Sequence, residues 1–225
     1  MKKTILLIGG SSDLGRSFKK YSKFKNEYEF LSTNSKILDL KDDNSVEKFI
    51  EKNKVNNFKH IVFLSASNNI KNFVKLNKKE IDNTFKINFQ NFMYLLSELL
   101  KEKNKIESII IISSLYGKFG RQGRSLYTSS KHLLNGLVKN LCIDLSGQEI
   151  KVNSITPGFI NTKMTKKNLS KKEIISISTK TPTGRLGTPK EVSNVIDFLI
   201  SKESSFINGQ DIVVDGGYTS GGFFD

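Results

Sequence analysis

Four consecutive isoleucines at 109–112, preceded by Ser108 and followed by Ser113-Ser114, restrict the fold of this chain more than any other stretch. A strand with one face in water alternates apolar and polar residues, and this run does not alternate. As a strand it is buried on both faces, which happens where helices cover both sides of a parallel sheet. The remaining sequence supplies the other pieces. Strand-like apolar runs recur at 4–8, 28–32, 36–40, 60–64 and 150–155, and a last one lies within 208–217. Between them, apolar residues recur at helical spacing, most clearly at 79–101, 133–145 and 190–201. Strands alternating with helices predict an α/β fold, a parallel sheet wound on both faces with right-handed crossovers.

At 225 residues the chain is long enough for one such domain, and its 37% hydrophobic content suits a buried core. The single cysteine, Cys142, excludes a disulfide framework and fits a reducing, cytoplasmic setting. Met1-Lys2-Lys3 imitates the basic end of a signal peptide. The apolar run after it is short and ends in glycines, so it reads as a first strand with no targeting role. No segment has the length of a membrane span. A net charge of +14 is one mark of nucleic-acid binding, but the lysines are scattered over polar helix faces. Neither nucleic acid nor membrane is therefore expected as a partner; an anionic cofactor or substrate is the more modest use of the charge.

The first strand leads through Gly9-Gly10-Ser11-Ser12-Asp13-Leu14-Gly15 into a helix. Glycines let the backbone approach a pyrophosphate, and a helix N-terminus offers free N–H groups and partial positive charge. Asp13 suits the N-cap of that helix. Further on, Tyr127 and Lys131 are four residues apart, so they leave a helix on one face. A phenol, with a pKa of about 10, is a poor acid–base group at neutral pH, and an ammonium beside it favours the phenolate. Ser114 ends the isoleucine run, at the strand end where open α/β sheets place ligands. Asn88 interrupts an otherwise apolar helical region. Each feature alone has a plainer reading: a tight turn, a surface pair, a hydrogen-bonded core asparagine.

Taken together in this order, Asn88, Ser114, Tyr127, Lys131 and Pro157-Gly158 resemble the short-chain dehydrogenase/reductase family. The likeness is to its compact single-domain branch, covers nearly the whole chain and is strongest to 3-oxoacyl-[acyl-carrier-protein] reductases. It implies one Rossmann domain over residues 1–225, with about seven strands in the order 3-2-1-4-5-6-7. The cofactor would then cross the carboxyl edge at the switch point between the first and fourth strands. The implied activity is NAD(P)(H)-dependent reduction of a carbonyl to an alcohol. Tyr127 would be the general acid–base, and Lys131 would lower its pKa and hold the nicotinamide ribose. Ser114 would bond the developing alkoxide, and Asn88 would maintain a proton path. The implied cofactor positions begin in the turn with Gly9, Ser11, Ser12, Asp13, Leu14 and Gly15. Gly9 and Gly15 match the outer glycines of the family pattern, while Asp13 replaces the middle one and Ile8 the leading threonine. Thr33 and Asn34 follow at the second strand, Asp39 and Leu40 at the adenine, and Ala66 beneath the cofactor. Pro157, Gly158, Ile160 and Thr162 complete the set at the nicotinamide, beside Tyr127 and Lys131. Asp39 equally fits the N-terminal cap region of the helix that starts near Asn44.

NAD enzymes place an acidic residue about 20 positions past the glycines. This chain has Thr33-Asn34-Ser35-Lys36 there, which favours NADP(H) over NAD(H). The polar, lysine-rich stretch 163–188 reads as a lid over the substrate, with a short helix near 171–177. Arg121 and Arg124 open a second reading, an anionic substrate such as a nucleotide-sugar or a sugar acid in surface-polysaccharide synthesis. As surface or subunit-contact arginines they would carry no such meaning. A non-catalytic NADP-binding regulator is a reading of another class, opposed by the full set of Asn88, Ser114, Tyr127 and Lys131. The resemblance also implies a small-molecule carbonyl or alcohol substrate and self-association to a homotetramer or homodimer. No metal-ligand cluster is evident.

Overall fold

The computed structural model describes residues 3–101 and 106–221; Met1 and Lys2 of the basic start lie outside them. A parallel sheet of six strands runs through the centre in the order β2-β1-β3-β4-β5-β6. Its strands are β1 (Thr4–Ile8), β2 (Glu29–Ser32), β3 (Phe58–Phe63), β4 (Ser108–Ile112), β5 (Lys151–Pro157) and β6 (Asp211–Val214). The helices are α1 (Asp13–Tyr21), α2 (Asp43–Asn53), α3 (Lys78–Phe85), α4 (Asn91–Lys101), α5 (Ser125–Asp144), α6 (Lys163–Asn168), α7 (Lys171–Lys180), α8 (Pro189–Ile200) and α9 (Tyr218–Gly221).

Because successive strand residues face opposite sides, each apolar strand feeds two cores. Leu6, Ile8, Ile61, Phe63, Ile109 and Ile111 meet Phe49 of α2, Phe92 and Leu95 of α4, and Leu134 and Val138 of α5. Ile5, Leu7, Val62, Ile110 and Ile112 meet Phe18 of α1 and Val192, Ile196 and Leu199 of α8. Burying one such side chain contributes about 1.5–3 kcal/mol, so the isoleucine run is stable only between two helical layers. Phe63 and Phe92 stack with ring centroids 3.9 Å apart, locking α4 onto the sheet.

Two expectations need correction. The sheet has six strands, because residues 36–40 form a turn and loop beyond β2 where a third strand was expected. Asn34 is the cause. Its Oδ1 accepts from the N–H groups of Lys36 at 2.8 Å and Ile37 at 3.2 Å, and the Leu38 N–H bonds back to the Asn34 carbonyl at 2.8 Å. This side-chain turn competes with a ladder and wins. Leu38 and Leu40 still bury, but as a loop docked on the α2–α4 core. The second correction concerns 79–101, which is not one helix. A π-helical turn, Lys86–Gln90, separates α3 from α4, and Asn88 lies within it.

With this order, the connections after β1 and β3 leave in opposite directions, and the switch point lies between those two strands. Among the described residues no helix is long and apolar enough to cross a membrane.

Candidate active site

The site starts where β1 gives way to α1. Gly9 has φ of 80°, a left-handed backbone suited to glycine, and a Cβ there would come within 2.7 Å of the Ser65 nitrogen. Its N–H donates to Thr33 Oγ1 at 3.1 Å, and the Ser11 N–H donates to the Thr33 carbonyl at 3.3 Å. Thr33 thus holds the turn from behind. Gly15 must be small for another reason: a Cβ would lie 2.5 Å from the Gly10 carbonyl oxygen. The N-cap of α1 is Ser12 and not Asp13, for Ser12 Oγ accepts from the Gly15 N–H at 3.1 Å. Asp13 is instead the first helical residue, and its carboxylate accepts from Arg16 Nη2 at 2.5 Å and from the Lys163 N–H at 2.6 Å. Partial burial raises its pKa, but these two partners outweigh burial and hold the carboxyl below its ordinary value.

Ser114 leaves the end of β4 as the N-cap of a short 3-10 turn, its Oγ accepting from the Tyr116 N–H at 3.2 Å and meeting the Tyr127 hydroxyl. Tyr127 and Lys131 come from the first turns of α5, with 7% and 1% of their surface exposed. Lys131 Nζ donates to the Ile112 carbonyl at 2.8 Å and stands 5.5 Å from the Tyr127 ring centroid. Burial pushes Lys131 down to about 7 and Tyr127 up to about 12. In the structure the Tyr127 pKa is therefore raised on balance, and Lys131 is not among the groups that pull it down. Desolvation dominates, and the groups that pull Tyr127 down are the Ser114 hydrogen bond and the Arg124 charge.

A cavity of about 420 Å³ joins these two regions. Of the residues singled out in the sequence, Ser11, Ser12, Asp13, Leu14, Ala66, Ser114, Tyr127, Lys131, Pro157, Gly158, Ile160 and Thr162 line it. Gly9, Gly15, Thr33, Asn34, Asp39, Leu40 and Asn88 are not among its lining residues. Gly9, Gly15 and Thr33 shape the turn from behind, and the Asn34 amide is spent on its own turn. The Asp39 carboxylate accepts from the Lys41 N–H at 3.0 Å, while the cap of α2 is Asp42. The Leu40 carbonyl accepts from Asn91 Nδ2 at 3.0 Å. Asn88 is wholly buried and fully committed. Its Oδ1 accepts from the Ser67 N–H at 2.6 Å, and its Nδ2 donates to the Ser67 carbonyl and to Ser130 Oγ, both at 2.9 Å. Ser130 Oγ in turn donates to the Tyr127 carbonyl at 2.8 Å, so Asn88 ties the loop after β3 to α5.

Ile160 and Thr162, expected at the nicotinamide, also seat α6: the Ile160 carbonyl accepts from Thr165 Oγ1 at 2.6 Å, and Thr162 Oγ1 caps the Thr165 N–H at 3.2 Å. The stretch 163–188 contains two helices, α6 and α7, and α7 runs past the expected 177 to Lys180 behind a capping box of Ser170 and Glu173. Sequence reasoning missed Arg16, Asn68, Phe159, Met164 and Leu169, which also line the cavity. For the last two a signal existed, since they are apolar positions in a lysine-rich stretch. The two flagged arginines separate. Arg121 bonds the Tyr116 hydroxyl and pairs with Glu173 at 2.9 Å, whereas Arg124 is 3% exposed and lines the cavity.

A family model described as enoyl-(acyl carrier protein) reductase matches residues 14–219. A 3-oxoacyl-[acyl-carrier-protein] reductase of Buchnera aphidicola subsp. Schizaphis graminum is 34% identical over 222 residues, spanning 96% of this chain and 88% of that one. Two solved structures share the architecture. 4-Hydroxyisoleucine dehydrogenase complexed with NADH matches at a TM-score of 0.86 and 24% identity, over 98% of this chain and 100% of its own. ElxO with NADP bound matches at 0.84 and 26%, over 98% and 100%.

Proposed function

The chain belongs to the short-chain dehydrogenase/reductase family, oxidoreductases acting on CH–OH and C=O groups, and from that premise we propose that its cavity reduces a small carbonyl compound with a nicotinamide cofactor. One juxtaposition carries the reading: Ser114, Tyr127 and Lys131 share a cavity whose other end is the glycine turn. The residues present suit the cofactor. The N–H groups of Asp13 and Leu14, in the first turn of α1, have no helical acceptor before them and can receive a pyrophosphate. Arg16 offsets the Asp13 carboxylate beside them.

When bound, the reduced nicotinamide supplies a hydride, two electrons and one hydrogen, to the carbonyl carbon. As that bond forms, the Tyr127 hydroxyl passes its proton to the carbonyl oxygen. A pKa of about 12 keeps that proton in place at neutral pH. Ser114 donates a hydrogen bond to the same oxygen and stabilises its developing charge. The phenolate left on Tyr127 regains a proton from solvent, and the Arg124 charge favours it until then. Lys131, lining the same cavity, would hold the cofactor ribose. Asn88, through Ser130, sets the position of α5 under both residues.

NADP(H) is the preferred cofactor in this reading, supported by the absence of an acidic residue at Thr33-Asn34-Ser35-Lys36. The name of the Buchnera relative supports a 3-oxoacyl-type carbonyl. The helices α6 and α7 serve as the lid. The test is Tyr127→Phe: NADPH binding followed by fluorescence should persist while turnover falls roughly 10²–10⁴-fold. Turnover retained in the variant would rule out the role of Tyr127.

A further inference from the structure

Arginine heads normally reach water, yet Arg124 is only 3% exposed. Its Nη1 donates to Asn68 Oδ1, and its guanidinium lies 5.5 Å from the Tyr116 ring centroid. Both partners are neutral. Among the described residues no carboxylate forms an ion pair with it, and nearby Glu173 is held by Arg121 at 2.9 Å. A buried cation with neutral partners is costly, and an anion brought to it offsets that cost. The room for one exists, because Arg124, Asn68 and Tyr116 line the same cavity as Ser114 and Tyr127.

Placement on α5 sets the spacing. Arg124 is the N-cap residue, three positions before Tyr127, so the two side chains leave neighbouring turns of one helix face. They are offset along the axis by about 4.5 Å, three residues at 1.5 Å each. Both side chains line one cavity, so a small substrate can meet them together. The N-terminus of this long helix adds partial positive charge at the same place. Burial lowers the guanidinium pKa from its ordinary value, but an arginine stays protonated at neutral pH.

We propose that the substrate is a small oxo acid whose carboxylate is held by Arg124 while Tyr127 and Ser114 act on its carbonyl. The inference rests on the reductase reading above and adds the charge of the substrate, which the name of the Buchnera relative does not contain. Arg121, engaged by Glu173 and Tyr116, takes no part.

The test uses the full chain with NADPH and with NADH, and compares kcat/KM for acetoacetate and for its N-acetylcysteamine thioester. The carbonyl is the same and the charge differs. The wild type should favour the acid by about tenfold or more, R124Q should lose that preference, and R124K should recover part of it. Any influence of Arg124 on the Tyr127 pKa falls on both substrates and cancels in the ratio. In parallel, malonate in the presence of oxidised cofactor should raise the melting temperature of the wild type and not of R124Q, with malonamide as the neutral control. A wild-type preference for the thioester, or an unchanged ratio in R124Q, overturns the proposal. If R124Q does not fold, the wild-type ratio decides. Turnover of neither probe together with an Arg124-dependent malonate shift supports the acid site and counts against the reductase reading; loss of the shift as well counts against both.

Discussion

Lys131 and Tyr127 sit side by side and are displaced in opposite directions by the same cause. Burial disfavours the charged form of each, so the lysine falls to about 7 and the phenol rises to about 12. The unfolded chain therefore holds a proton on Lys131 between roughly pH 7 and 10.5 that the folded chain has released. Stability from this group is present above that window and is lost as pH falls through it. Urea unfolding at pH 7 and pH 9 should show a rise of up to about 1.4 kcal/mol per pH unit, and Lys131→Met should flatten it. A slope equal in wild type and variant would mean that Lys131 is not held in a dry site. At this scale the sequence was legible wherever spacing decides position: Ser114 at a strand end, Tyr127 and Lys131 on one helix face. It was not legible where environment decides. Neither the upward shift of Tyr127 nor the burial of Arg124 follows from spacing, since both depend on what packs around α5.

Among the elements, the π-helical turn Lys86–Gln90 shows how a single polar residue can be a structural necessity. Asn88 there saturates both backbone groups of Ser67 and reaches Ser130. Asn88→Ala strands those buried groups and should cost about 2–3 kcal/mol, measured by urea unfolding, since each unmet buried group costs about 1–3 kcal/mol. A loss below about 0.5 kcal/mol would show that water replaces the amide. The asparagine stood out in the sequence, but the π-helical turn around it did not, because apolar spacing continues across 79–101 with little change. Residues 36–40 show the converse. Their apolar residues read as a strand, yet the Asn34 side chain captures the N–H groups of Lys36 and Ile37 and bends the chain away. Periodicity records which residues bury; it does not record whether a neighbouring amide has already claimed the backbone.

For the molecule as a whole, the doubly wound architecture was legible because a run such as 109–112 has few other homes. Assembly was less so. Exposed apolar side chains lie on α4 (Met93 and Tyr94, both 43%) and on α5 (Leu133, 42%, and Ile143, 66%), candidates for contact with a second copy. Light scattering at micromolar concentration should return the mass of four chains, or of two; the mass of one chain would exclude self-association. The Asp13 carboxylate has a different reach. It belongs to the glycine turn, yet it grips the backbone of Lys163 where α6 begins. The glycine turn and the start of α6 thus share one anchor, and a single hydrogen bond joins the two walls of the cavity.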